Sequence, residues 1–237
     1  MTTPKPLVKG FYDAHTFSIR YVVSDPETKK CAIIDPVLDF DEKSGMTATK
    51  NADAILDYVE EQGLRIEWIL DTHPHADHLS AAHYLKNKAG APTAIGEKVV
   101  EVQKLWKDIY NWPDFRADFP GGSASELYRS IMEILSLPDK TRLFAGHDYQ
   151  PGGREPLWES TVAEQKAKNI HMSRCNSEAE FMELREARDK TLSMPRLILH
   201  ALQVNMSGGR LPEPEANGRR YLKFPLDALQ GAAWDGQ

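Results

Sequence analysis

Four side chains able to grip a cation stand within six positions of this chain, in the run His73-Pro74-His75-Ala76-Asp77-His78. Imidazole and carboxylate are the donors that hold zinc, iron or manganese. The run follows an apolar stretch, Ile66-Glu67-Trp68-Ile69-Leu70-Asp71-Thr72, which reads as a buried strand. A strand end leading into a tight loop would fix such ligands at the mouth of a sheet. Alternate spacing lets His73 and His75 project into one site while Asp77 and His78 turn toward a neighbouring one. Affinity tags also carry histidine clusters, but they lie at termini and lack the aspartate. Ligand type, spacing and placement therefore agree on a metal site. His147, after the short apolar run Thr141 to Ala145, repeats the strand-end placement of His73.

The elements that must position these residues follow from periodicity. Phe17 to Val23 and Cys31 to Ile34 are β-rich runs separated by turn residues, which predicts an antiparallel pair closed by Asp35-Pro36. Ala52 to Gln62 places Ile55, Leu56 and Val59 on one helical face, with Gly63 as the stop. After the strand Ile66 to Leu70 and the ligand loop, a helix runs from Leu79 to Lys88 and ends at Gly90. Pro92 to Ile95 reads as a strand and Glu97 to Tyr110 as an amphipathic helix. The order ββαβαβα implies helices packed on a sheet. Residues 111–122 carry turn residues without a strand pattern. Ser123 then begins a capping box with Glu126 and a helix to about Leu135. Further helices are expected over Trp158 to Asn169, Ser177 to Lys190 and Arg196 to Leu202, followed by a loop-like tail.

Composition narrows the function classes. The chain has 237 residues, enough for a sizeable core, and its 41% hydrophobic and 27% charged content is ordinary for a soluble globular protein. A net charge of −6 supplies no basic footprint for nucleic acid, and no apolar stretch approaches a membrane span. Neither nucleic acid nor membrane is expected as a partner. The N-terminal residues show no secretory pattern, and Cys31 and Cys175 are too few for a disulfide framework, so a cytoplasmic setting is expected. Cys31, flanked by Ala32-Ile33-Ile34, reads as an inert buried thiol.

The run Thr72-His73-Pro74-His75-Ala76-Asp77-His78 resembles the His-x-His-x-Asp-His signature of the metallo-β-lactamase superfamily. Within it the chain is similar to the glyoxalase-II-like branch, and there to persulfide dioxygenases. The narrower resemblance is carried by Leu79-Ser80-Ala81-Ala82 directly after the signature, Arg116-Ala117-Asp118-Phe119-Pro120-Gly121-Gly122, Leu143-Phe144-Ala145-Gly146-His147-Asp148-Tyr149, and Thr161-Val162-Ala163-Glu164-Gln165 with the following Asn169. The likeness runs from about Phe11 to Pro214. It implies an α/β fold, the αββα sandwich of metallo-β-lactamase type, occupying residues 1–170, with a helical and loop extension over residues 171–237. Homodimerisation is implied on the same ground.

The chain departs from the pattern in its middle. Between the signature and His147, family members carry a Gly-His-Thr-like segment and a Gly-Asp-x-Leu-Phe-like segment, and neither is present here. Two or three strands with their loops would occupy roughly 30–60 residues. An internal deletion with its junction near residues 115–118 is the simplest account, leaving the sandwich incomplete. In persulfide dioxygenases, by resemblance, two histidines and a carboxylate hold one Fe(II), and only His73 carries over. In dinuclear hydrolases His73 and His75 serve one metal while Asp77, His78 and His147 serve the other. By that count Zn(II) at the second set is better supported than Fe(II) at the first, and loss of ligands leaves a chain without bound metal as a further alternative.

The leading expectation is a protein of persulfide-dioxygenase type, which oxidises glutathione persulfide to sulfite and glutathione, with activity sharply reduced here. The alternatives are a zinc-dependent glutathione thioester hydrolase of glyoxalase II type, in which Asp77 would position or deprotonate a water, and a non-catalytic remnant. Glutathione persulfide or another glutathione derivative is the implied partner. Arg116 would meet a substrate carboxylate or pair with Asp118. Tyr149 would touch substrate or, with Asp148, shape the loop that orients His147. His15, His83, His171 and His200 read as structural or exposed, the run His171 to Cys175 could approach a thiol substrate, and Arg210, Arg219 and Arg220 read as loop charge able to attract carboxylates.

Overall fold

The computed structural model describes residues 4–112, 124–170, 172, 177–189, 192 and 194–228. The chain divides into two compact units: Met1–Phe119 with Pro195–Gln230, and Pro120–Met194 with Gly231–Gln237. Among the described residues the fold is mixed α/β with seven α-helices, none long and apolar enough to cross a membrane.

The first unit contains β1 (Leu7–Tyr12), β2 (Ile19–Ser24), β3 (Lys30–Ile34), β4 (Val37–Asp41), β5 (Met46–Ala48), α1 (Lys50–Glu61), β6 (Arg65–Asp71), β7 (Leu79–Ser80), α2 (Ala82–Ala89), β8 (Thr93–Ile95) and α3 (Val99–Tyr110). Its main sheet has the order β1-β2-β3-β6-β8. The β2/β3 pair is antiparallel, as the turn chemistry between them predicts. The pairs β3/β6 and β6/β8 are parallel, a geometry that needs crossover connections, supplied by α1 and α2. A smaller sheet, β5-β4-β7, frames the ligand loop at its exit.

Helix α1 forms because Ala52, Ile55 and Val59 share one buried face and Asp53 sits in the first turn, where a negative charge suits the helix dipole. Gly63, at φ +60°, takes the chain out of it. Its apolar face joins Val22, Ile33 and Ile69 of the sheet and Leu85 of α2 in one core cluster. Ile33, Ile55, Ile69 and Leu85 are fully buried, each worth roughly 1.5–3 kcal/mol relative to exposure. That core anchors β6, and therefore the loop that leaves it.

The second unit comprises α4 (Ala124–Leu135), β9 (Arg142–Phe144), β10 (Glu159–Thr161), α5 (Val162–Lys168) and α6 (Glu178–Asp189). Helices α4 and α6 meet through Tyr128 and Phe181, ring centroids 5.4 Å apart. The chain then returns to the first unit as α7 (Ile198–Asn205), whose Ala201, Leu202, Gln203, Val204 and Asn205 are all buried.

Several expected helices begin later than the sequence implies, α3 at Val99 instead of Glu97 among them. Leu79 and Ser80 belong to strand β7, held by pairing with Val37 and Leu38, so α2 starts at Ala82. Glu159 to Thr161 pair antiparallel with β9 as strand β10, and Thr161 then caps α5 in a capping box with Glu164. Helix α7 begins at Ile198 and runs on to Asn205. The expected cap at Ser123 and the junction near residues 115–118 lie outside the described residues.

Candidate metal centre

The ligand loop leaves β6 at Asp71 and re-enters the fold at β7, and three buried polar side chains hold it in place. Asp35, at the end of β3, accepts hydrogen bonds from the Thr72 amide (2.7 Å) and the Thr72 hydroxyl (3.0 Å). Its backbone is left-handed at φ +52°, a conformation aspartate tolerates better than most residues. Ser80 donates its hydroxyl to both carboxylate oxygens of Asp71, at 3.0 and 2.8 Å. Asn205 of α7 makes the third clamp. Its amide donates to the carbonyls of His75 and His78, and its oxygen accepts from the Ser80 amide, all at 2.7 Å.

Within this frame the rings of His73 and His75 lie 4.1 Å apart, and those of His75 and His78 4.2 Å apart. Asp77 Oδ2 is 2.9 Å from His78 Nδ1. His75 Nε2 approaches Asp35 Oδ1 to 3.0 Å, yet its N–H direction misses the oxygen, making this a charge contact rather than an aligned hydrogen bond. Two sets bring three ligand atoms within 4.8 Å of one another: His75, Asp77 and His78, and Asp35, Asp71 and His75. His75 belongs to both, with Nε2 toward Asp35 and Nδ1 toward Asp77. Sequence spacing groups His75 with His73, and the two rings do lie side by side; the structure also brings His75 together with Asp77 and His78.

Electrostatics reflect that crowding. Burial pushes the Asp71 carboxyl up to about 6, against the opposing Ser80 hydrogen bond and the nearby His75 charge. Burial also raises Asp35, but the His75 contact and the Thr72 donors outweigh it and hold Asp35 below the usual range. Burial depresses the His75 imidazole, and the charges of Asp35, Asp71 and Asp77 more than reverse this. For His78 burial prevails over Asp77, and its pKa falls. His78 therefore stands closer to the neutral form in which imidazole binds a cation.

Whether these residues suit a metal is tested by their unpaired atoms. His75 Nδ1 and His78 Nε2 are buried without a hydrogen-bond partner. Buried orphan nitrogens beside a carboxylate cost free energy that a cation between them would recover. The donor set, imidazole and carboxylate, fits zinc or iron.

His147 lies in the second unit, after β9, with its ring parallel to that of Tyr149 at 5.9 Å. Tyr149 is exposed, whereas Asp148 is buried and shapes the loop. Asp148 accepts two bonds from the Arg154 guanidinium (2.6 and 2.8 Å) and one from the Gln150 amide (3.1 Å). Arg116, His171 and Cys175 lie outside the described residues. His15 is exposed, His83 contacts Asn87, and His200 packs between Phe40 and Phe224. The sequence reading missed Asp35, Ser80 and Asn205. A strand-ending Asp-Pro was the available signal for Asp35; nothing local distinguishes Asn205.

Comparison with known proteins gives this arrangement its setting. Residues 21–122 match the model of the metallo-beta-lactamase superfamily. A beta-lactamase hydrolase-like protein of Xylella fastidiosa is 58% identical, covering 97% of this chain and 67% of its own length. Glyoxylase B2 of Dictyostelium discoideum is 35% identical, covering 95% of this chain and 99% of its own length. The mitochondrial persulfide dioxygenase ETHE1 of Bos taurus is 24% identical over 86% of this chain and 89% of its own. The crystal structure of ETHE1 from Myxococcus xanthus superposes with a TM-score of 0.63 at 24% identity, over 86% of this chain and 100% of that one, which establishes a shared fold. The first two alignments each run over 288 positions, against 237 residues in the whole chain. At least 51 alignment positions therefore hold no residue of this chain.

Proposed function

The chain belongs to the metallo-beta-lactamase superfamily, and on that premise we propose that it is a metal-binding protein of the glyoxalase-II-like branch. It acts on a glutathione-linked sulfur compound in the manner of persulfide dioxygenases, with its oxidative activity curtailed by the lost central segment. The observation that carries this reading is the convergence of His75, Asp77 and His78, with two buried ring nitrogens left unpaired.

In this reading His75, Asp77 and His78 would hold the ion, with the His73 ring beside that of His75. Bound Fe(II) would supply oxygen activation, and bound Zn(II) a Lewis acid for hydrolysis. The remaining work belongs to the chain. Asp77 orients His78 through Nδ1, directing Nε2 toward the ion. Asp35 and Asp71 place negative charge behind His75, which favours a cation nearby. Asn205 holds the carbonyls of His75 and His78, so the two ligands keep their separation when the ion leaves.

A second reading, a zinc-dependent glutathione thioester hydrolase, draws on Asp77 being part of the ligand group and on the names of the relatives at 58% and 35% identity. One experiment separates the readings. The purified full chain is loaded with Fe(II) or Zn(II), its metal content measured, and oxygen uptake with glutathione persulfide compared with hydrolysis of S-lactoylglutathione. We expect about one equivalent of bound metal and oxygen uptake far below that of the Bos taurus persulfide dioxygenase measured alongside. Uptake at that enzyme's rate refutes the curtailment. Hydrolysis without uptake establishes the second reading. A cooperative melt with no bound metal leaves a non-catalytic remnant.

A further inference from the structure

A separate cavity of about 530 Å³ opens in the first unit, between the end of β5, the start of α2 and the segment Gly209 to Arg220. None of His73, His75, Asp77 or His78 lines it. Its volume falls in the range of small-molecule sites, several times what an inorganic ion needs. Its walls combine the apolar Leu38, Leu211 and Tyr84 with two arginines, Arg210 and Arg220, against a single carboxylate, Glu213.

This cationic lining stands out in a chain of net charge −6. Arg220 is anchored by donating through Nη1 to the Pro212 carbonyl, and its one acidic neighbour, Glu213, is 4.0 Å away and exposed. At that distance and exposure an ion pair contributes little. Arg210 forms no hydrogen bond or ion pair with another described residue. The His83 imidazole, 3.1 Å from the Asn87 amide, and the Thr47 and Thr49 hydroxyls add polar groups on the opposite wall.

Backbone geometry brings Arg210 to this wall. Gly208 and Gly209 are both left-handed, at φ +66° and +78°. Gly209 packs so tightly on the β7–α2 junction that a Cβ there would sit 2.8 Å from the Ser80 carbonyl and 3.1 Å from the His83 amide. Only glycine permits that approach. The residue after it is thereby fixed at the cavity edge.

We propose that this cavity is a binding site for a small organic dicarboxylate, its two carboxylates paired with Arg210 and Arg220 and its carbon chain resting on Leu38, Leu211 and Tyr84. The planar guanidinium fork matches a carboxylate through two parallel hydrogen bonds, and the apolar wall suits a carbon chain better than a bare inorganic anion. The site is independent of the metal reading, since it shares no side chain with the cation ligands.

The test is calorimetric titration of the full chain, freed of metal, with glutarate, acetate and inorganic phosphate. Glutarate is expected to bind at least tenfold tighter than either control, with Arg210→Gln and Arg220→Gln each weakening it at least tenfold while the melting temperature stays unchanged. Gly209→Ala is expected to weaken glutarate binding although both arginines remain. Equal binding of phosphate and glutarate, undiminished binding in both arginine variants, or no glutarate binding at all would each overturn the proposal.

Discussion

Two loops carry the candidate ligands, and they are held in different ways. The loop of His73 to His78 is anchored by buried and part-buried hydrogen bonds: the Asn205 amide to two carbonyls, the Ser80 hydroxyl to Asp71, and Thr72 to Asp35. The loop of His147 is held around the buried Asp148 carboxylate, which accepts from the Gln150 and Leu157 amides and pairs with the Arg154 guanidinium, itself 40% exposed. Buried hydrogen bonds are insensitive to salt and costly to orphan, whereas a half-exposed ion pair is screened and contributes less. Salt should therefore act on the second loop through its Asp148–Arg154 pair and leave the first largely untouched.

The most severe way to break that contrast is Asn205→Ala. It strands the carbonyls of His75 and His78 and the Ser80 amide in a buried place. Stability should fall by about 3 kcal/mol or more, measured by urea unfolding, and the loss should be the same in high and low salt. A loss that salt reverses would remove the distinction between the loops. Asp35→Asn comes next. It keeps a hydrogen-bonding oxygen for Thr72 but removes the charge beside His75, so metal affinity should weaken by about tenfold or more in a competition titration with a chelating dye. Unaltered affinity would mean that Asp35 supports the backbone alone.

Asp148→Asn should have a smaller, salt-sensitive effect. The hydrogen bonds from Arg154, with smaller help from the Leu157 and Gln150 amides, hold the Asp148 carboxyl below its ordinary range. A depressed folded-state pKa stabilises above the unfolded value, near ~3.9, and the contribution is lost as pH falls through the folded value. The melting temperature of the parent should therefore decline more steeply below about pH 4 than that of the variant, and the two should converge at high salt. Identical acid profiles would mean the ion pair does not hold this loop. The mildest probe is Cys31. Burial, with a smaller push from Glu67, raises its thiol to about 11, so in a Cys175→Ser background alkylation near pH 8 should be slow until the first unit opens in denaturant. Rapid labelling of the native chain would show the core beneath the first loop to be looser than its packing implies.

The candidate ligand cluster was legible because four donor side chains stand within six positions, and adjacency in sequence keeps them near one another in space. The strand before them and helices α1, α2 and α3 were legible because each buries one periodic face. Strands β4, β5 and β7 were not, since two to five residues carry little periodic signal and exist through pairing with a distant partner. The first residues of the expected helix at Trp158 went to β10 for the same reason: pairing with Phe144 to Arg142 outweighs a local helical tendency. Asn205 was invisible because an asparagine in an apolar helix announces no target; its three partners lie more than 120 residues away.

From the amino-acid order alone came the chemistry on offer: imidazoles and a carboxylate after an apolar strand, and the superfamily their spacing resembles. Tertiary structure alone decided which of those side chains face each other, pairing His75 with Asp77 and His78 and pinning their carbonyls from α7. Donor identity is a local property of each residue. The distance between donors depends on long-range contacts that form only once the core has closed.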